Sequence, residues 1–247
     1  MNERLDVLAR RFAAVEKGIE EVRRGLALLV KPVSKKSRHV DPSDLKELQP
    51  CAQDTPEVAA LRRWCIARSL TTAVFRWVPS DYYQRSLQWR RDILGAPSTQ
   101  HICKSIFMEN THCVHADCSH SENSRYYLVV FPYTERFDAE RLMQFVRGMN
   151  EGLGKKKFNF RAANPDVALK LTGFTHGAVV PFGTATEIPV ILSEQIARLT
   201  PPVFWMGGGH VDCKVRVDVA QYIEVIKPFI ANVTVPLSEE ELTQLLD

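Results

Sequence analysis

The chain has 247 residues, of which 45% are hydrophobic, 25% charged and 9% aromatic, and its formal net charge is +3. Enough apolar surface is present to bury a core, which excludes wholesale disorder, and no apolar run approaches the roughly 20 residues of a spanning helix. Acids and bases are mixed from Met1 to Arg11, which argues against a secretory signal, and so small a net charge leaves any nucleic-acid binding to local patches.

In chain order, Leu5, Leu8, Phe12, Val15, Ile19, Val22, Leu26 and Leu29 recur at alternating steps of three and four. This is a heptad seam, and it predicts an amphipathic helix over 1–31, docked on its own domain or coiled with a partner or a second copy. At 1.5 Å per residue such a helix covers about 40 Å. Residues 32–56 carry Pro32, Pro42, Pro50 and Pro56 with a basic stretch at 35–38, and read as a linker. Residues 57–94 return to helical composition and predict two helices, the second after Pro79; Trp64, Trp77 and Trp89 anchor them on the main domain.

The main domain is expected over 95–230. Strands are predicted at 102–108, 126–131, 178–180, 190–192, 203–206 and 214–217 from β-branched and aromatic content. Helices are predicted at 137–149, with Asp138 near its start, and at 219–226, ended by Pro228. A short helix begins at Asn164 as N-cap, with Pro165 at its first position and Gly173 near its stop. Residues 231–247 form a partly acidic tail. Short strands of mixed spacing with few crossover helices argue for an α+β fold with a mixed, partly closed, barrel-like sheet flanked by helices.

Six cysteines are present, but a chain this long and apolar needs no disulfide staples, and Cys65, Cys103 and Cys213 sit in apolar patterns as reduced core residues. A cytoplasmic setting follows as the expectation. His112, Cys113, His115, Cys118 and His120 crowd one stretch. Zinc prefers such ligands, yet structural sites join two separated pairs and no second cysteine pair lies nearby, so a solvent-exposed loop without metal is expected.

Four constellations could carry chemistry. Lys104 places a charge inside an apolar strand, where burial is costly unless the ammonium is paired or faces a cleft. Gly173, Gly177, Gly183 and Pro181, with His176 between them, fix an unusual backbone path that could present N–H and C=O groups to a small ligand. Gly207, Gly208 and Gly209, followed by His210, let backbone approach a ligand and cradle an oxyanion. Lys155, Lys156, Lys157 and Arg161 interleave with Phe158 and Phe160, a pattern that suits phosphates and stacked bases. Each also has a plain structural reading as a surface lysine, a tight connection, a glycine turn or a solvated loop. No Gly-x-Ser-x-Gly or His-Glu-x-x-His pattern is present.

Lys104 in its apolar strand, the stretch 158–183 with Gly177-Ala-Val-Val-Pro181, and the glycines 207–209 together resemble the YbaK/prolyl-tRNA synthetase-associated domain family, over about residues 95–227. The resemblance implies hydrolysis of wrongly charged aminoacyl-tRNA, with alanine or cysteine on tRNA(Pro) foremost, and no cofactor. It implies that Lys104 lies against the aminoacyl ester, that Gly177 and Pro181 belong to the substrate loop and that Gly207, Gly208 and Gly209 wall the pocket; Gly208 and Gly209 are expected to act with Lys104 in catalysis, and His176, Gly207 and His210 to bind substrate beside Gly177 and Pro181. Lys156 and Arg161 would guide the acceptor end of tRNA. Water would attack the ester, assisted by backbone groups, Lys104 and the vicinal ribose hydroxyl. No synthetase catalytic domain precedes residue 95, so a freestanding member is expected, tethered through 1–31 to a synthetase or multi-synthetase complex, with no membrane partner. The alternatives are a non-catalytic tRNA-binding or scaffold subunit, and an interaction module built around the N-terminal helix.

Overall fold

A computed structural model describes residues 45–246. The heptad seam at 1–31 and most of the predicted linker lie outside the described residues. Helix α1 (Pro56–Ala67) opens with the Thr55 side chain accepting from the Val58 N–H and with Pro56 in its first turn. Val58, Leu61 and Cys65 are buried along one face. Arg62 pairs with Asp54 at 2.8 Å and lies over the Phe75 ring, tying α1 to the turn before it. Burial alone would raise the Asp54 carboxyl; the Cys51 N–H and Arg62 together outweigh it and hold the pKa below the ordinary value. Strand β1 (Val74–Trp77) follows, then a short turn at Tyr82–Gln84 and helix α2 (Leu87–Leu94), capped by Ser86 and closed by Gly95 at φ 61°.

The chain continues as β2 (Cys103–Asn110), β3 (Tyr126–Pro132), β4 (Glu135–Phe137), α3 (Ala139–Gly148), β5 (Phe160–Ala162), α4 (Pro165–Thr172), β6 (Val190–Ser193), α5 (Glu194–Ala197), β7 (Val203–Gly207), β8 (Cys213–Asp218), α6 (Val219–Ile226), β9 (Phe229–Ala231), β10 (Thr234–Pro236) and α7 (Glu239–Leu246). Asp138 caps α3 by accepting from the Glu140 and Arg141 N–H groups. Asn164 caps α4, and Gly173 closes it in the left-handed region.

Five strands form one sheet in the order β5-β2-β3-β6-β9, antiparallel up to β3 and parallel beyond it. Three form a second, β1-β8-β7, wholly antiparallel, and β10 pairs with β4. One face of the large sheet, with Cys103, Phe107, Leu128 and Val130, buries itself against Phe204, Met206, Val215 and Val217 of the small sheet and against Phe174 and Val180. The other face, with Ile106, Met108, Tyr127, Val129 and Phe131, packs on Leu142, Met143 and Val146 of α3. The outer side of the small sheet is covered by 78–96, where Tyr82, Leu87 and Leu94 meet Trp205 and Ile102.

The α+β class with mixed sheets flanked by helices is as expected, but among the described residues no sheet closes on itself. Closure needs continuous hydrogen bonding around a ring of strands. Here the large sheet ends at β5 and β9, and the two main sheets meet through side chains, joined by a single bridge between Ile102 and Trp205. The partly closed barrel of the sequence reading is therefore incorrect. The strand predicted at 178–180 is also absent: this stretch is irregular, and Gly207 backs directly onto the Val179 carbonyl. Within the acidic tail, α7 forms over Glu239–Leu246.

Candidate functional site

Lys104 stands opposite Phe131 in the β2–β3 ladder, so its side chain shares the α3 side of the sheet with Ile106 and Met108. Its Nζ lies 5.1 Å from the centroids of both the Phe131 and Tyr133 rings. Burial lowers its pKa from the ordinary lysine value.

The glycines at 207–209 are shaped by what surrounds them. A Cβ on Gly207 would fall 2.7 Å from the Val179 carbonyl oxygen, and one on Gly208 would fall 3.0 Å from the Cys213 backbone. Gly209 has φ +91°, and a Cβ there would lie 2.5 Å from Leu61 Cδ1 of α1. The Gly208 N–H donates to the Cys213 carbonyl at 2.9 Å, so it is spent inside the turn that joins β7 to β8. His210 Nδ1 accepts from the Asp212 N–H at 3.1 Å, and its ring lies 5.2 Å from that of Trp77.

The connection after α4 comes up beside this turn. Gly177 has φ +80°, and the side chain nearest its open position is Val211. Tyr83 donates its hydroxyl to the Gly177 carbonyl at 3.3 Å. Pro181 is buried, and its carbonyl accepts from the Tyr222 hydroxyl at 3.2 Å. His176 is exposed and points to no identified partner among the described residues. The structure thus brings Gly177, Gly207, Gly208, Gly209 and His210 together, with Pro181 one layer deeper.

Beside the Ile102–Trp205 bridge, under the segment 78–96 that covers the outer side of the small sheet, lies a small cavity, lined among others by Cys103, Tyr133, Tyr82, Tyr83, Gly207 and Lys214, with about 10 Å³ of space. That is room for about one water. Lys104 is not among the lining residues; its Nζ lies over the ring of Tyr133, which is. Lys214 was missed by the sequence reading. It sits opposite Gly207 in the β7–β8 ladder, is 3% exposed, and places Nζ 4.7 Å and 4.6 Å from the Tyr82 and Tyr83 ring centroids. Arg90 of α2 lies over the same two rings and over Tyr133. The alternation of 214–217 signals a strand with one solvated face; only the covering segment 78–96 turns that face inward, and the Tyr82-Tyr83 pair is the sequence's hint of it.

Lys156 and Arg161 belong elsewhere. Arg161 faces Glu109, five residues along β2 from Lys104, which is roughly 17 Å of strand. Its guanidinium pairs with Glu109 at 3.1 Å, and Arg125 holds the other carboxylate oxygen at 2.8 Å. Burial would raise Glu109, but these two arginines outweigh it and hold the carboxyl below its ordinary value. Lys156 is exposed, and its carbonyl accepts from His112 Nδ1 at 3.1 Å. In the neighbouring Cys/His loop, the rings of His115 and His120 stack at 3.8 Å, and Cys113 Sγ bonds Asn123. Among the described residues no three metal-ligating side chains converge. No helix among them is long and apolar enough to cross a membrane.

The sequence matches the family described as aminoacyl-tRNA editing domain over residues 92–225, more than half of the chain. The chain belongs to this family. The match spans β2 to α6 and so contains both glycine connections, Lys104 and Lys214. Among solved structures, a candidate trans-editing enzyme for prolyl-tRNA synthetase superposes with a TM-score of 0.58 at 19% identity, covering 74% of this chain and 99% of the other. A hypothetical protein, APE2540, gives 0.53 at 18%, covering 71% and 99%. A structure from work on grafting linear epitopes onto scaffold proteins gives 0.57 at 18%, covering 74% and 100%. At these identities the likeness speaks for the fold. No curated protein matches the chain.

Proposed function

We propose that this editing-domain protein is an aminoacyl-tRNA deacylase that hydrolyses the ester of mischarged tRNA carrying a small amino acid, alanine or cysteine on tRNA(Pro) first among them. The observation that carries this reading is the editing-family match over 92–225, within which Gly207 lines a small cavity and Tyr83 of the same lining bonds to Gly177. A site that admits a small side chain and rejects a larger cognate one would act as the second sieve of editing. The fold likeness to a candidate trans-editing enzyme for prolyl-tRNA synthetase supports the choice of tRNA.

In this scheme water attacks the ester carbon. Backbone N–H groups of the glycine connections and the Lys104 ammonium stabilise charge on the carbonyl oxygen, and the vicinal ribose hydroxyl assists the leaving oxygen. The Gly208 N–H is already donated to Cys213, so Gly208 serves by letting backbone approach, and donation falls to its neighbours. Ester hydrolysis is intrinsically easy enough that positioning can suffice without a nucleophilic side chain. His176, Gly177, Pro181, Gly207 and His210 line the approach, and Lys156 and Arg161 lie in reach of more distant tRNA.

Deacylation of a panel of mischarged tRNAs, with Lys104→Ala beside the wild type, tests the reading. The variant should lose about 100-fold in rate, the scale of one lost electrostatic contact, with an unchanged unfolding midpoint. Full activity in the variant removes Lys104 from the mechanism. A second reading, a tRNA-binding subunit without hydrolysis, draws on the Tyr83–Gly177 bond that closes the cavity; tRNA binding with no deacylation of any substrate would establish it.

A further inference from the structure

The cavity holds a cation that the reading above does not use. Lys214 is 3% exposed, and none of the ion pairs among the described residues includes it. Its Nζ donates to the Val211 carbonyl at 2.5 Å and approaches the Cys213 carbonyl at 3.5 Å. An ammonium has three N–H donors, so at least one is left for the cavity. The Tyr82 hydroxyl and Trp205 Nε1, on two further residues lining that cavity, are buried without a partner. A buried ammonium lacking a carboxylate is costly to keep, and unpaired donors gathered on one cavity call for an acceptor-rich ligand.

We propose that Lys214 is a catalytic residue of this site, its ammonium donating a hydrogen bond to the ester carbonyl oxygen of the aminoacyl group as that oxygen becomes negative. This rests on the deacylase reading above. The water oxygen bonds to the ester carbon while the carbonyl π pair moves onto oxygen, where Lys214 meets it from the Gly207 side. The intermediate then collapses, the bond to the ribose oxygen breaks, and that oxygen takes the proton lost by the water. Acid and alcohol are the products, and Lys214 ends as it began. Entry requires the Tyr82–Gln84 turn to move aside, because the closed cavity admits about one water. The bond from Tyr83, which is 38% exposed, to Gly177 is the only hydrogen bond among those described that links the turn to that connection.

The charges around Lys214 are Asp212 and Cys213 beside it, Arg76 opposite on β1, Arg90 from α2, and the tyrosines 82, 83 and 133. Burial, aided by Arg90 and opposed by Cys213 and Asp212, brings its pKa down to about 8. The protonated form is the donor, so the wild-type rate, corrected for hydroxide-driven background, should fall as pH rises through about 8.

The test measures kcat and KM for deacylation from pH 6.5 to 9.5, for wild type and Lys214→Met, with unfolding midpoints for both. Methionine keeps the bulk and removes the charge. Expected is a loss of roughly 100-fold or more in kcat, little change in KM, no fall through the same pH range, and a midpoint no lower than wild type. Should the variant fail to fold, the profile of Lys104→Ala decides, because Lys104 also has a lowered pKa: a fall above about pH 8 supports the role, and a flat or rising profile overturns it. Wild-type hydrolysis that Lys214→Met matches overturns this role alone. Absence of hydrolysis by the wild type overturns the deacylase reading and this role with it.

Discussion

Two glycine-bearing regions of this protein look alike in sequence and differ in physical character. The turn at 207–210 is wedged between the 177 connection, α1 and the start of β8, with Gly209 at φ +91° and Leu61 pressed on its open side. The turn at 150–157 carries Gly152 at φ +94° with nothing within 4 Å of its open side, and its three lysines are exposed. The same left-handed φ is thus hemmed in by packing at Gly209 and opens on free space at Gly152. The first can hold donors and a wall at fixed positions, which is what a reaction needs. The second can only offer charge to a partner that approaches it.

The largest effect expected from this contrast is at Gly209. In Gly209→Ala, strain at positive φ adds to overlap with Leu61, and the loss of stability should be about 2–4 kcal/mol by thermal or denaturant unfolding. Displacing the turn should abolish deacylation as well, even in the fraction that stays folded. A loss below about 1 kcal/mol would show that α1 gives way, and that the turn is less rigid than its contacts imply.

Much of the fold was legible in the sequence where local and tertiary preferences agree. The ladder of β2 and β3, the capped helices α3 and α4, and α6 lie where composition and capping residues put them. What was not legible depends on partners. Strand β1 exists because β8 offers it an edge, while β4, β9 and β10 are three residues each, too short for any period to show. The stretch 178–180 has strand composition but meets Gly207 through its backbone and joins no ladder. The candidate site divides the same way. Lys104 stands out as a charge in an apolar run. Lys214 alternates with valines as a surface residue does, and only the folding of 78–96 over the small sheet buries it. Arg161 is an exposed base by composition, and only the β2–β5 register reveals that Glu109 already holds it.

That pairing gives the next effect in size, in the region of the free turn. Glu109 is 6% exposed between Arg125 and Arg161. Glu109→Gln leaves both guanidinium groups with a weaker acceptor, and because the arginines reach solvent the cost should be about 1–2 kcal/mol at neutral pH. The folded-state pKa of Glu109 lies below its unfolded value, so its contribution is present above that value, 4.5, and is lost as pH falls through the folded pKa. The gap in unfolding midpoint between wild type and variant should therefore be constant from pH 8 to 6 and close on acidification below about 4.5. A gap that persists unchanged at low pH would mean that Glu109 acts through packing.

The smallest effect separates strain from packing. Gly152→Ala imposes on alanine nearly the same φ as Gly209→Ala but meets open space. Only the left-handed backbone cost remains, about 1 kcal/mol, and deacylation should stay within twofold of wild type. Subtracting this loss from that at Gly209 then measures the cost of overlap between an added methyl group and Leu61. If the two losses are equal, α1 adds nothing, and the contrast between a locked and a free turn reduces to where each one lies. If Gly209→Ala costs more and also loses activity, the excess is the cost of overlap between the added methyl group and Leu61, and the turn is as closely packed as its contacts imply.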